Sequence, residues 1–381
     1  MRGWAGVASI AAGTFLMVTT EFLPIGLLTQ LAGDLQVSDG IAGLAVTMPG
    51  IVAMIAAPLL TLVVGRTDRK LLIALLTLSI LVSNLIAALA PNFAVFLLGR
   101  MLLGVGVGGL WSFAVAAGRR LVPESAGGRA TSVISAGISM GTIVGVPAGS
   151  LIGSWTSWRV AFVGVAIIGA IIVITQVRLL PRLPVETAMN LRRLLAILKV
   201  PMARVGLVAI AFIAAGHFIA YTFLEPFLRT APRLGDDGVA TILAGYALAG
   251  LAGTYLGERL SASSVRAALA IGASFVGVAV FAAALFGDQW LAAAIAVLVW
   301  GLAFGAVPVA IQIWMHQSAP ALYEGSAAVL VCIFQVGLSA GAFLGGVLVD
   351  GSGIHTAFLV SAGVSIFGAA IAFIFGRAKA V

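Results

Sequence analysis

Four ionisable side chains lie where an apolar solvent makes them costly. Glu21, Arg100, His217 and Glu225 interrupt three long apolar runs, 4–31, 93–117 and 204–228. A charge at the centre of a bilayer costs about 2.5–3.5 kcal/mol on insertion scales, so each group needs a partner, a wet cavity or a proton. Desolvation favours a protonated acid, whereas a neighbouring guanidinium favours the carboxylate. Glu21 and Arg100 enter their runs to a similar depth, so together they read as a structural ion pair, a proton switch, or both. Glu225 is the second candidate for the proton, although it lies near the end of its run, where a carboxylate can reach the interface. His217 is near mid-run; it modulates the proton site or, in the reading preferred here, is neutral and hydrogen-bonded.

Spacing places these groups on shared faces. His217, Tyr221 and Glu225 follow i, i+4, i+8 and occupy one side of a helix, which cannot sensibly face lipid. The matching stripe of the fourth run is Arg100, Gly104, Val107 and Trp111, and that of the tenth is Trp300, Phe304, Pro308 and Gln312. Aromatic walls with few polar groups suit a flat, partly polar ligand; ordinary packing of the tryptophans is the competing explanation. Gly141, Gly145, Gly149 and Gly153 make a small-residue stripe in the fifth run, and Gly245, Ala249, Gly253 and Gly257 another in the eighth. Such stripes let helices approach closely.

The elements that position these faces number twelve. The apolar runs are 4–31, 41–64, 71–90, 93–117, 131–154, 158–178, 204–228, 239–257, 267–286, 290–314, 326–349 and 356–376, each near the ~20 residues that cross a bilayer core. Positive charge alternates between the gaps. Counting from the N-terminal side, every second gap and the two ends hold 17 of the 21 Lys and Arg residues: Arg2, Arg66, Arg69, Lys70, Arg119, Arg120, Arg129, Arg178, Arg182, Arg192, Arg193, Lys199, Arg204, Arg259, Arg266, Arg377 and Lys379. The other side has only Arg159, Arg229 and Arg233. Positively charged loops stay in the cytoplasm, so both termini are expected inside.

Composition agrees with an all-α polytopic membrane protein: 61% of residues are hydrophobic and 9% charged, against about 25% charged in soluble domains. Twelve spans leave no room for a separate soluble domain. The net charge of +8 sits in loops and reads as topology and contact with anionic lipid, not as a nucleic-acid surface. Residues 4–31 exceed a signal-peptide core and are read as the first span. Cys332 is the only cysteine, which excludes an intramolecular disulfide, and it reads as a small core residue. No phosphate-binding GxxxxGK[ST] sequence occurs, and the glycines from Gly104 to Gly109 follow no strand. Three scattered histidines give no metal site of recognisable spacing, so no metal and no cofactor are expected.

The longest gap, basic and marked by Pro181, Pro184 and Pro201, divides the chain into 1–180, a linker at 181–203, and 204–381. Leu191 to Leu198 can form a short surface helix there. The halves resemble each other. Pro24, after Glu21, aligns with Pro226, after Glu225, and Gly141, Gly145 and Gly149 align with Gly337, Gly341 and Gly345 at an offset of 196. Parallel six-helix repeats describe a transporter whose halves rock about a central site.

Three motifs carry a family resemblance. Arg100 followed by Gly104 and Gly106, the fifth-run set Gly137, Gly141, Gly145, Pro147 and Gly149, and Asp68-Arg69-Lys70 after Gly65 resemble motifs of the major facilitator superfamily and its drug:proton antiporter-1 family. The proline sits one position late and Gly65 one position close; these departures are similar to the branch of purine-ribonucleoside and sugar efflux pumps. The resemblance covers essentially the whole chain. It implies two pseudo-symmetric six-helix bundles, with the first, fourth, seventh and tenth helices lining a cavity that includes Thr14, Met17, Glu21, Trp111, Tyr221, Trp300, Phe304 and Gln312. It implies that Gly141, Gly145, Pro147, Gly149, Gly245, Gly253 and Gly257 pack the fifth and eighth helices against each other between the bundles. It gives Asp68, Arg69 and Lys70 a gating role, against a plain solvated turn. The expected function is proton-coupled export of a nucleoside-like or sugar-like solute by a monomer in the bacterial inner membrane, its partners being that solute, protons and lipid. A broad drug antiporter is the alternative. A membrane-embedded enzyme would need clustered catalytic groups, and a sensor a signalling domain; neither is found.

Overall fold

A computed structural model describes residues 2–64, 67–184, 195–320 and 323–376. Gly65, Arg66, Arg192, Arg193, Arg377, Lys379 and residues 191–194 of the expected surface helix lie outside the described residues. All regular structure among them is helical. Helices 1 to 12 are Gly3–Asp34, Asp39–Val63, Arg69–Ala88, Phe93–Arg119, Glu124–Trp155, Trp158–Leu179, Pro201–Thr230, Asp236–Ser263, Val265–Phe286, Trp290–Ser318, Ala327–Ser352 and Ile354–Phe375, each long and apolar enough to cross a membrane. They coincide with the twelve expected runs. Five of them, helices 1, 5, 7, 8 and 10, extend further by a turn or more, because the polar end turns continue the helix past the apolar region. Their connections are short, and polar residues start them: Asp68, Asn92, Ser157 and Ser264 each accept a hydrogen bond from a main-chain N–H of the helix that follows.

Helices 1 and 7 are broken near the same depth. Helix 1 is α-helical over Arg2–Phe22, tightens to a 3-10 turn over Leu23–Leu27 and resumes over Leu28–Asp34. Helix 7 runs Pro201–Tyr221 and resumes over Leu224–Thr230. Pro24 and Pro226 explain both interruptions, because each lacks the N–H that the preceding turn requires.

The glycine stripes pack differently from expectation. A Cβ on Gly141 would lie 2.8 Å from the Phe15 carbonyl oxygen, and one on Gly145 would lie 2.9 Å from Thr19 Cα. Gly149 abuts Leu23. Gly245 faces Leu298 at 2.8 Å, Gly253 abuts the Leu302 carbonyl, and Gly257 faces Ala306 Cα at 2.7 Å. Thus helix 5 turns its glycine edge onto helix 1, and helix 8 turns its own onto helix 10, each inside one bundle. Helices 5 and 8 do touch across the bundles, but not through these glycines, so the assignment of Gly141, Gly145, Gly149, Gly245, Gly253 and Gly257 to the inter-bundle contact is corrected. Pro147 is buried in the same helix 5.

These contacts also reset the repeat. Gly137, Gly141 and Gly145 meet residues 11, 15 and 19, while Gly337, Gly341 and Gly345 meet residues 211, 215 and 219. Between helices 1 and 5 and helices 7 and 11 the structural offset is therefore 200, not 196, and the two prolines after the breaks fall two positions out of step. The first bundle has its own apolar core, from Val7 to Leu183. A second core, from Ile197 to Ala372, belongs to the other bundle, and a third mixes the two around Ile25, Val146 and Phe218. Helix 2 packs along helix 11 to join the halves.

Candidate functional site

Proline chemistry explains the most buried cation. In a helix, the carbonyl of residue i accepts from the N–H of residue i+4. Pro24 and Pro49 deny that donor to Thr20 and Ala45. Arg100, fully buried on helix 4, supplies it instead: Nη1 donates to the Thr20 oxygen at 2.7 Å, Nε to the Ala45 oxygen at 2.7 Å, and Nη2 to the Glu21 main-chain oxygen at 2.7 Å. A third proline repeats the pattern. Pro58 strands the Met54 carbonyl, which accepts from the Cys332 thiol of helix 11 at 3.4 Å. Arg100 therefore spends its donors on main chain, and the expected ion pair with the Glu21 carboxylate does not form. The ion pairs among the described residues are Arg159–Asp34, Arg229–Glu225 and Arg229–Asp236.

The Glu21 carboxyl group points instead across the bundle boundary. Its Oε1 accepts from Gln335 Nε2 of helix 11 at 3.0 Å, and both side chains are buried. Trp111 of helix 4 lies within interaction range of the same carboxyl. Gln335 Oε1 has no hydrogen-bond partner among the described residues. A protonated Glu21 could donate its hydroxyl there, converting one hydrogen bond into a paired acid–amide contact. Protonation would thus tighten the join between the bundles.

Beside this join, rings from helices 7, 8 and 10 stack. Phe304 lies 3.4 Å, centroid to centroid, from His217 at an interplanar angle of 3°. Tyr221 lies 4.8 Å from His217, and Tyr246 lies 4.9 Å from Tyr221 but only 6.5 Å from His217, so the column bends sharply at Tyr221. Trp300 stands nearly perpendicular to the column and donates its Nε1–H to His217 Nδ1 at 3.0 Å. Phe218 stacks on Phe22 at 5.8 Å, bringing the column next to the Glu21 helix.

Away from the termini the bundles are sealed. Glu225 Oε2 accepts from the Thr29 hydroxyl at 2.7 Å and from the Thr29 N–H at 3.1 Å. Its Oε1 pairs with Arg229, which also holds Asp236. Asp350 of helix 11 accepts from Ser38 Oγ at 2.6 Å and from the Gly40 N–H at 3.0 Å, capping the start of helix 2 across the boundary. Leu28, Ala32, Ala42 and Phe223 form an apolar plug beside these bonds. Exposure along helix 10 rises in the other direction: Trp300 is buried, Phe304 and Pro308 are half-buried, and Gln312 is exposed. On helix 4, Arg100 and Val107 are buried and Trp111 is half-buried.

On the terminal face, Asp68 Oδ1 accepts from the N–H groups of Lys70 at 2.9 Å and Leu183 at 2.8 Å. The Arg69 N–H donates to the Leu183 oxygen at 3.1 Å, and the Arg69 guanidinium lies over the Phe113 ring at 4.6 Å. Arg120 holds the Pro184 oxygen. The loop motif thus fastens the start of the linker to the first bundle. Residues 197–199 form a short helical turn at its other end.

The structure brings Glu21, Trp111 and Arg100 together in one place, and His217, Tyr221, Trp300 and Phe304 in another beside it. Two expected cavity residues are elsewhere. Thr14 is buried with its hydroxyl bonded to the Ala11 and Ile134 oxygens at 2.9 and 3.2 Å, and Met17 is fully buried in the core of the first bundle. Glu225 is completely buried between Thr29 and Arg229. Gln335, Tyr246 and Thr29 were missed by looking only for ionisable groups and for three stripes. A polar amide in the middle of an apolar run is the signal that marks Gln335.

Comparison with known proteins agrees with this architecture. Residues 10–331 match the Major Facilitator Superfamily. The purine ribonucleoside efflux pump NepI of Salmonella paratyphi B is 31% identical over 368 residues, covering 97% of this chain and 93% of that protein. Its counterpart from Salmonella typhimurium is 32% identical over 369 residues, with the same coverage. Among solved structures, a bacterial homologue of the human lysosomal transporter Spinster, inward-facing and occupied, superposes with a TM-score of 0.77 at 16% identity over 97% of this chain and 96% of that one. A D-xylose–proton symporter gives 0.76 at 16% identity over 98% and 96%. At such identities the structures speak for the fold alone.

Proposed function

The chain belongs to the major facilitator superfamily, as a multi-pass inner-membrane transporter and not an enzyme, and from that premise we propose that it exports a nucleoside-like or sugar-like solute in exchange for protons. The moving units are residues 1–180 and 204–381, joined by 181–203, with both termini and the linker in the cytoplasm. Likeness to pumps named for purine ribonucleosides supports the nucleoside over the sugar. The charge bias of the loops supports the orientation. On that orientation the sealed face is periplasmic, and this conformation faces inward.

The single observation that carries the coupling is the Glu21–Gln335 hydrogen bond between the bundles. A protonated Glu21 makes two bonds to the amide, so the proton favours the state closed to the periplasm. Release of that proton to the cytoplasm leaves one bond and loosens the join. Solute loading then accompanies the swing to the outward-open state, where Glu21 is reprotonated. Protons thereby move inward as solute moves outward, which is the direction export requires.

The test is Glu21→Gln in proteoliposomes with an imposed pH gradient. Glutamine keeps the shape of the protonated acid and its two bonds to the amide, so solute binding is expected to survive while solute-for-solute exchange, which must open the join, slows. Uphill transport is expected to be lost. Gradient-driven accumulation at the wild-type rate would remove Glu21 from the coupling.

A further inference from the structure

Coupling at Glu21 makes no use of the ring column, and two polar atoms in that column are left over. Indole N–H only donates, so the bond from Trp300 fixes His217 Nδ1 as an acceptor. A neutral imidazole in that arrangement carries its hydrogen on Nε2. Nε2 is buried and has no hydrogen-bond partner among the described residues; the Tyr246 hydroxyl is in the same condition. A buried donor without an acceptor is costly to maintain, and the fold spends a tryptophan on orienting this one.

We propose that His217 is the specificity-determining residue of the transport site, its Nε2–H donating in the imidazole plane to an acceptor on a flat heteroaromatic ligand, a purine base, that passes the half-buried Phe304 and meets the edge of His217. This rests on the exporter reading above and names the part of the solute that is read. Aromatic walls suit a flat base and offer nothing to the hydroxyls that surround a sugar. Two spare polar atoms satisfy a base edge and leave most of a sugar rim unpaired, which disfavours sugars. Phe304 is half-buried whereas His217, Tyr221 and Tyr246 are buried, so it is the ring of the four that a ligand meets first. Trp300 is a positioning residue: it acts on the ligand through the tautomer of His217.

The experiment is calorimetric binding of inosine and of ribose to the purified full-length protein in nanodiscs. Wild type is expected to prefer inosine. His217→Phe keeps a ring in the column and removes the N–H, so it should weaken inosine binding about tenfold while ribose binding stays as it was. Trp300→Phe leaves His217 in place but frees its tautomer, and should reduce the inosine-to-ribose preference without abolishing binding, which keeps the test decisive should His217→Phe fold poorly. Wild-type inosine affinity in both variants overturns the assignment. Equal affinity of the wild type for ribose and inosine overturns it too, whereas uphill ribose efflux that Glu21→Gln abolishes would leave the exporter reading standing.

Discussion

Arg100 and Pro49 are complementary across two helices: the guanidinium Nε supplies to the Ala45 carbonyl, at 2.7 Å, the hydrogen bond that the proline ring cannot. A lysine ammonium donates from a single nitrogen and cannot reach the three carbonyls that the guanidinium meets with three, so Arg100→Lys should cost about 3 kcal/mol of stability, two charge-assisted bonds being lost. Pro49→Ala restores an N–H to the Ala45 carbonyl. In that background Arg100→Lys should be less damaging, by about 1 kcal/mol of coupling in a double-mutant cycle. Thermal unfolding in detergent measures both, and strictly additive effects would refute the pairing.

Glu225 and Thr29 close the face away from the termini. Glu225→Ala removes two hydrogen bonds across the boundary and leaves Arg229 still paired with Asp236. The balance should shift toward opening on that face by at least about tenfold, the worth of one to two buried bonds. Spin labels at Gly33 and Gly235, both beside open space, report the distance directly. A distribution indistinguishable from wild type would show that the plug of Leu28, Ala32, Ala42 and Phe223 suffices alone.

Gly145→Leu acts inside the first bundle. Its new side chain meets Thr19 Cα, where even a Cβ would lie at 2.9 Å. The expected result is loss of folded protein, with a lower unfolding midpoint and a cost of about 3 kcal/mol or more from overpacking. A well-folded but transport-dead variant would instead place this glycine at a moving contact.

The twelve helices were legible because bilayer thickness sets their length and loop charge punctuates them, and Pro24 and Pro226 marked the two breaks. The ring cluster was half legible: helical spacing found His217, Tyr221, Trp300 and Phe304, but Tyr246 comes from a helix whose pattern carried only small residues. The role of Arg100 was misread because charge was matched to charge. Counting four residues back from each proline would have pointed to the Thr20, Ala45 and Met54 carbonyls as the acceptors needing donors. The glycine stripes were identified correctly as close contacts and assigned to the wrong neighbours, since periodicity gives a face and not what lies opposite it. Thr14 shows the same ambiguity, its hydroxyl being turned to helix 5.

Helices 4 and 10 repeat at an offset of 197, since Gly104 and Gly108 meet residues 49 and 53 as Gly301 and Gly305 meet residues 246 and 250, so Val297 stands where the first bundle has Arg100 and Trp300 follows about one turn on. One half therefore welds its broken helix to two neighbours with a charged fork, and the other leans an indole against a stack of rings. Ring stacks slide at little cost, whereas a guanidinium stripped of three carbonyls has nowhere dry to go. The two halves are unequal machines: the first is stiff at its break, and the second can flex at Thr222–Phe223 without stranding a charge, so compliance is concentrated where the solute is read.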